Sequence, residues 1–170
     1  AFDDSGWRNA KALEAPEGVL TFAELEPMRK LESSKPTKVE KLPNGNYLVT
    51  FPKQTTGWAR IAFPEAAAGD KITITYTEKA YEGGVVAYVV QDYLLQQYTY
   101  ICKGENDVHE PKFSYVGFGY AEIEGYTGNL TVEDITAYQI ATDVEHTGSF
   151  ESGNEMVNTL HEIMVRTMVN

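Results

Sequence analysis

The feature that most constrains the fold of this chain is a succession of short alternating segments, separated by turn residues, between Lys38 and Ala141. Residues 71–76 are the clearest case, since apolar and polar side chains alternate strictly there, as in a strand with one face in solvent. Further candidate strands cover residues 46–51, 58–63, 85–90, 93–102, 113–123 and 130–140. No helical pattern lies between them, which argues against a parallel α/β fold. The sequence predicts an antiparallel all-β sandwich or jelly roll.

The beginning of the chain lacks this alternation. Residues 1–36 are loosely patterned and broken by proline and glycine, with one short candidate strand at 19–23 and a turn at 33–36. We therefore predict a linker or the tail of a preceding domain in this stretch. The sandwich domain is predicted to follow at residues 37–150.

Residues 151–170 carry a helical pattern. Ser152 and Glu155 have the spacing of a capping box, with Ser152 as N-cap and Glu155 at position N3. Apolar residues follow at helical spacing: Met156, Leu160, Ile163, Met164 and Met168. The pattern continues without a C-cap, so we expect the start of a linker helix that leads into a further domain. The alternative is a helix packed beneath the sandwich.

Composition limits the partners of this chain. Its 170 residues suffice for about one domain. The formal net charge is −11, and so acidic a surface repels phosphate backbones and anionic lipid, so we predict neither nucleic acid nor membrane as a partner. Cys102 is the only cysteine, which excludes an intrachain disulfide and a multi-cysteine metal site.

Several familiar catalytic motifs begin in this sequence and then fail. His161-Glu162 starts like a zinc-binding HExxH helix, but Val165 stands where the second histidine should be. Residues 117–122 start like a dinucleotide-binding loop, but Glu122 takes the place of the third glycine. No G-x-S-x-G nucleophile elbow occurs. We predict no cofactor. The loop oxygens available to a calcium ion are those of Asp92, Glu105, Asn106 and Asp107, and such loop carboxylates are usually only solvated.

Aromatic and acidic residues on one sheet face would suit a sugar, because rings stack on its C–H face and carboxylates accept its hydroxyl protons. Residues 118–124 predict such a face, with two aromatic side chains followed by Glu122 and Glu124. The tyrosine-rich stretch 93–100 predicts a second one. The candidate carbohydrate-binding residues are Trp58, Tyr98, Tyr100, Phe118, Tyr120 and Glu122. The alternatives are a solvated strand end and tyrosines that cover the core.

Five segments, in order along the chain, resemble one known family. They are residues 2–7 (FDDSGW), 47–61 (ending TGWARI), 69–78 (GDKI, then YTE), 115–123 (YVGFGYAEI) and 147–160 (TGSFESGN, then a helix). Together they resemble the β-sandwich region of the bacterial α-L-rhamnosidases, glycoside hydrolase family 78. Val116 and Gly119 depart from the family's pattern, which has His and Arg at those places.

The resemblance implies a concanavalin-like sandwich beside a catalytic α/α-barrel, in an enzyme that hydrolyses terminal α-L-rhamnosides with inversion. In that family the barrel carries the acid and base carboxylates, so we expect no catalytic residue in this chain. The implied partner is the barrel of the same parent chain. The family includes both exported and intracellular enzymes, so the resemblance favours a periplasmic or secreted location only slightly over the cytoplasm. Two roles stay open, namely structural support of the barrel and binding of rhamnose-containing glycans.

Overall fold

A computed structural model describes residues 3–81, 83–85, 96–114 and 116–169. Its strands, in chain order, are β1 (Met28–Ser34), β2 (Lys38–Lys41), β3 (Tyr47–Phe63), β4 (Lys71–Thr77), β5 (Ala80–Tyr81), β6 (Gly84–Val85), β7 (Gln97–Ile101), β8 (Asp107–His109), β9 (Val116–Glu124) and β10 (Ile135–Thr142). A short 3-10 turn, Val132–Asp134, precedes β10, and the helix α1, Glu155–Val169, follows it. The predicted all-β antiparallel class with a C-terminal helix is confirmed.

Antiparallel pairing joins the main strands in the order β1-β10-β3-β9-β4-β7, and β2 and β8 also pair with β3. The first part of β3 pairs with β2 and β9, and its last part pairs with β10 and β8. Because β3 belongs to both halves, the sheet curls around its core. Separate strands at 46–51 and 58–63 are therefore a wrong prediction. The polar residues between them stay extended, and a register shift between Thr50 and Thr55 accommodates them.

The core lies inside the curl and is built from alternate residues of the strands. Ile72, Ile74 and Tyr76 of β4 have no exposed surface, as their strict alternation predicted. The Tyr76 ring lies 4.9 Å from that of Phe118, which in turn lies 5.0 Å from that of Phe51. Each such buried apolar side chain contributes roughly 1.5–3 kcal/mol to folding. This ring cluster therefore fixes β3, β4 and β9 relative to one another.

The first strand is not where the sequence predicted it. Residues 19–23 form no strand, whereas β1 pairs with β10 at one end of the sheet. Ser33 and Ser34, predicted to lie in a turn, are the last residues of that strand. Strand β1 is solvated on both faces, so its sequence, MRKLESS, shows no alternation. The division into 1–36, 37–150 and 151–170 stays a prediction, since strand pairing does not locate the boundary of a folding unit.

Strands β7, β9 and β10 overlap the predicted segments 93–102, 113–123 and 130–140 but are shorter. The turn with Asn44 and Gly45 joins β2 to β3 as a hairpin, and Gly45 has the positive φ of 92° that such turns require. Of the candidate strand at 85–90 only residue 85 is described, and it belongs to β6. Strand β8 was not predicted, because three residues are too few to show a period.

The predicted helix is confirmed, but its predicted N-cap is wrong. Asn154 caps α1, because its side-chain Oδ1 accepts a hydrogen bond from the N–H of Met156 at 3.0 Å. Ser152 lies two residues earlier, where its N–H donates to Oδ1 of Asn158 and its carbonyl accepts from the Asn158 side chain. Among the residues that the structure describes, no helix has both the length and the apolar character needed to span a membrane.

Candidate functional site

The tyrosine pair predicted as a sugar platform lies along the edge of the core. Tyr98 and Tyr100 sit two residues apart on β7 and pack, partly buried, against the core cluster. Their hydroxyls are held in place, that of Tyr98 by Ser114 at 3.0 Å and that of Tyr100 by a carboxylate oxygen of Asp107 at 2.8 Å. His109 packs against both rings, with centroid distances of 5.5 and 5.7 Å. Residues 93–95 of the predicted tyrosine patch lie outside the described residues.

The side chains of β9 that were predicted to share one face lie on opposite faces of the sheet. Phe118 has no exposed surface and lies in the core, so it cannot contact a ligand in solution. Tyr120 and Glu122 are partly exposed, while Ala121 and Ile123 are buried. The shift falls at Gly119, opposite the register change in β3, and it puts Phe118 on the side opposite to Tyr120. Sequence alternation placed Phe118, Tyr120 and Glu122 on one face, and that prediction is wrong.

Glu122 is held by Asn46, the residue just before the adjacent strand β3. Its Oε1 accepts a hydrogen bond of 2.6 Å from the side-chain amide of Asn46. A side chain at Gly84 of β6 would approach Glu122 Oε2 to 2.8 Å, so the short β5–β6 hairpin lies close above this part of β9. The carboxylate is therefore held in position beneath this hairpin.

Trp58, in contrast, lies among charged and aromatic side chains on the outer face of the sheet. Its indole N–H donates to Oε1 of Glu110 at 3.2 Å. Lys30 forms an ion pair with the same carboxylate, and Arg60 Nε lies 3.9 Å from its other oxygen. The Lys30 ammonium also lies 3.9 Å from the centroid of the Tyr138 ring, a cation–π distance. This arrangement fixes the indole of Trp58 in one orientation.

Glu110 stays ionised in this cluster. Burial alone would raise the pKa of its carboxyl, but the hydrogen bonds from Lys30 and Trp58 and the nearby positive charges outweigh burial, so the pKa lies below its ordinary value. A permanent negative charge at Glu110 thus anchors two basic side chains and the indole at neutral pH.

Beside this cluster lies a cleft, here called the Trp58 cleft, with a volume of about 320 Å³. It is lined by Met28, Arg29, Lys30, Trp58, Lys112, Phe113, Ser114 and Ile140. The lining combines apolar and aromatic surface with basic groups. Only Trp58 was a candidate from the sequence. Its neighbours come from β1, β10 and the loop after β8, so no local spacing could have identified them.

Of the loop residues whose oxygens are available to a calcium ion, Asp107 is taken up by hydrogen bonds within the protein. Asp107 is almost completely buried and accepts hydrogen bonds from the Tyr100 hydroxyl and from the N–H groups of Lys103 and Gly104, all at 2.8 Å. Burial would raise the pKa of the Asp107 carboxyl, but these hydrogen bonds hold it below its ordinary value. Asp92 lies outside the described residues, and among those described no three His, Cys, Asp or Glu side chains could hold a metal ion.

The curled antiparallel sheet and its buried ring cluster define a concanavalin-like β domain. Residues 40–141 match the family model described as the bacterial alpha-L-rhamnosidase concanavalin-like domain. The chain belongs to this family.

Three relatives show how much of a longer protein this chain represents. It is 32% identical to an alpha-L-rhamnosidase of Formosa agariphila, over 99% of this chain and 18% of the relative. It also superposes on the structure of alpha-L-rhamnosidase from Dictyoglumus thermophilum with a TM-score of 0.85 and 37% identity, over 99% of this chain and 19% of that one. The structure of a Streptomyces avermitilis alpha-L-rhamnosidase, 23% identical, has the same fold with a TM-score of 0.75. The chain spans less than a fifth of each of these proteins.

Proposed function

We propose that this chain is the non-catalytic supporting domain of an α-L-rhamnosidase, and that its partner is the catalytic barrel of the same parent protein. The parent would hydrolyse terminal α-L-rhamnosides with inversion. The domain would hold the barrel through an apolar interface and would contribute neither the acid nor the base of the reaction.

Exposed apolar side chains outside the sheet carry this proposal. On α1, Met156, Leu160 and Met164 are 79%, 58% and 53% exposed, and no residue of the helix is buried. In the extended segment before β1, Leu20 and Phe22 are almost fully exposed. A run of such residues is unusual on a free surface and typical of an interface.

The similarity to the D. thermophilum enzyme supports the same interpretation. The superposition includes 99% of this chain, and therefore both the extended segment and α1. The large apolar side chains of these parts are exposed in this chain, yet the two parts share their course with a chain about five times as long. A common course of segments with exposed apolar side chains is expected where a surface of the remaining protein covers those side chains.

The test compares one pair of substitutions in two contexts. Leu160→Ala with Met164→Ala should change the free energy of unfolding of the isolated chain by no more than ~0.5 kcal/mol, because both side chains are already exposed. In the full-length parent the same pair should cost about 1–3 kcal/mol per side chain, because burial is then lost. Denaturant unfolding of both proteins measures the two values.

A matched control keeps the helix and spares the apolar stripe. Glu151→Ala with Glu162→Ala changes two exposed residues outside the stripe, one just before α1 and one on it, and should be neutral in both contexts. The docking role would be contradicted if both pairs lowered the free energy of unfolding of the parent equally, or if the apolar pair did not lower it.

A second candidate function is the binding of rhamnose-containing glycans. The observation that favours it is the Trp58 cleft, where a fixed indole lies beside a carboxylate and several basic groups. Aromatic side chains with adjacent charged groups are the usual means of binding a sugar ring.

A further inference from the structure

We propose that the Trp58 cleft binds an acidic sugar residue, that is, a pyranose ring that carries a carboxylate. This deepens the second candidate function above and is independent of the docking role. It names a ligand class that the sequence did not suggest, and it rests on the charge, the aromatic surface and the size of the cleft.

The charge of the cleft is opposite to that of the whole chain. The chain has a formal net charge of −11, yet Arg29, Lys30 and Lys112 all line this one cleft. Two of the three are balanced, Arg29 by Asp143 at 3.4 Å and Lys30 by Glu110. Lys112 has no carboxylate at ion-pair distance among the residues that the structure describes, so its ammonium is available to a ligand anion.

The aromatic surface suits a sugar ring. Trp58 is partly buried and fixed by its hydrogen bond to Glu110, so little side-chain entropy is lost when a ring stacks on it. Phe113 is fully exposed beside it, and Met28 and Ile140 complete the apolar part of the lining. The apolar part would cover the C–H face of a pyranose while Lys112 meets its carboxylate.

Size and overall charge narrow the ligand further. A volume of about 320 Å³ lies at the small end of ligand sites and fits about one sugar residue. A densely charged polyanion such as nucleic acid would be repelled by the rest of this acidic surface. A glycan with isolated uronate residues meets both conditions.

The test uses a matched pair of small glycosides and the fluorescence of Trp58. The chain has two tryptophans, so Trp7→Phe leaves Trp58 as the only indole. Methyl β-D-glucuronide and methyl β-D-glucoside differ only at C6, which is a carboxylate in the first and a hydroxymethyl group in the second. Methyl α-L-rhamnoside is the third probe. We expect saturable binding of the glucuronide, about tenfold tighter than that of the glucoside at low salt. The preference should shrink in roughly 0.5 M NaCl, which screens the charges.

Two variants locate the preference. Lys112→Gln, made in the Trp7→Phe chain, should remove the preference for the glucuronide and leave glucoside binding unchanged. Lys71→Gln, which removes an exposed charge on β4, should change neither. If the rhamnoside binds saturably and the glucuronide no better than the glucoside, the acidic class is overturned while carbohydrate binding stands. If none of the three probes binds up to about 100 mM, both the acidic class and the second candidate function are overturned.

Discussion

Glycine at position 57 allows β3 and β10 to approach closely next to Trp58. Gly57 has a φ of 154°, and a Cβ built on it would lie 2.0 Å from the carbonyl oxygen of Tyr138. That oxygen belongs to backbone in the centre of the sheet and cannot move without breaking the pairing of the two strands. The position therefore requires glycine for steric reasons.

Gly57→Ala should lower the free energy of unfolding by about 3 kcal/mol, because either the added methyl group or the strand pairing must shift. Urea denaturation followed by circular dichroism measures the loss. Gly6→Ala is the control, since nothing lies within 4 Å of its added Cβ. Its free energy of unfolding should stay within ~0.5 kcal/mol of that of the unsubstituted chain. Equal stability of the two variants would show that the strands can separate at Tyr138 at little cost.

For single residues, the sequence could predict which side chains suit a binding site better than it could predict which residues contact them. Trp58 was a candidate because a tryptophan within a strand is a large aromatic surface. Its partners Lys30 and Glu110 could not be predicted, since they are 28 and 52 residues away and reach it only through the pairing of β1, β10 and β8. Phe118 was assigned to the wrong face because a register shift is invisible in alternation.

Strand β8, only three residues long, makes the edge of the core sensitive to acid. His109 lies against the rings of Tyr98 and Tyr100, and its Nε2 is buried without a hydrogen-bond partner in the described part of the chain. Burial disfavours the charged imidazolium and lowers the pKa of His109 below its ordinary 6.5. Asp107 has a lowered pKa in the same strand, so protonation of either side chain opposes folding.

The domain should therefore lose stability as the pH falls below about 6.5. There His109 takes up a proton in the unfolded chain, whereas its lower pKa in the folded chain keeps it neutral. The loss ends at the lower pKa of the folded state. A further loss begins below the ordinary Asp pKa of 3.8, when Asp107 becomes protonated in the unfolded chain. Urea midpoints at about pH 7.5 and about pH 5.5 measure the first step.

His109→Phe removes the titrating group and keeps a ring against the two tyrosines, so its urea midpoint should change less between the two pH values. His146→Gln removes an exposed histidine and should leave the pH dependence intact. If the unsubstituted chain had the same urea midpoint at both pH values, the burial of an uncharged His109 would be contradicted.

The elements that the sequence predicted best are those buried on one face. Strand β4 was correct almost to the residue, because burial of alternate side chains imposes the period that the sequence then shows. Strand β1 was missed for the opposite reason, as an edge strand exposed on both sides imposes no period. The helix was found from its apolar spacing, while its cap was placed two residues early because Ser152 and Asn154 are both good caps.

For the whole molecule, apolar exposure and net charge act against each other. The stripe on α1 favours association of isolated chains through the hydrophobic effect, whereas a net charge of −11 repels one copy from another. Salt screens the repulsion and leaves the apolar contact, so the balance should shift with ionic strength. Sedimentation velocity should show little association at roughly 0.02 M NaCl and concentration-dependent association at roughly 0.5 M.

Two charge-matched variants separate these forces. Leu160→Lys with Met164→Lys removes part of the stripe. Thr99→Lys with Thr127→Lys adds the same positive charge at exposed positions outside α1. If the stripe drives association, the first pair should abolish it at high salt, although its lower net charge weakens the repulsion, and the second pair should strengthen it at low salt. If both pairs strengthen association, charge alone controls it, and the exposed helix is not the contact surface.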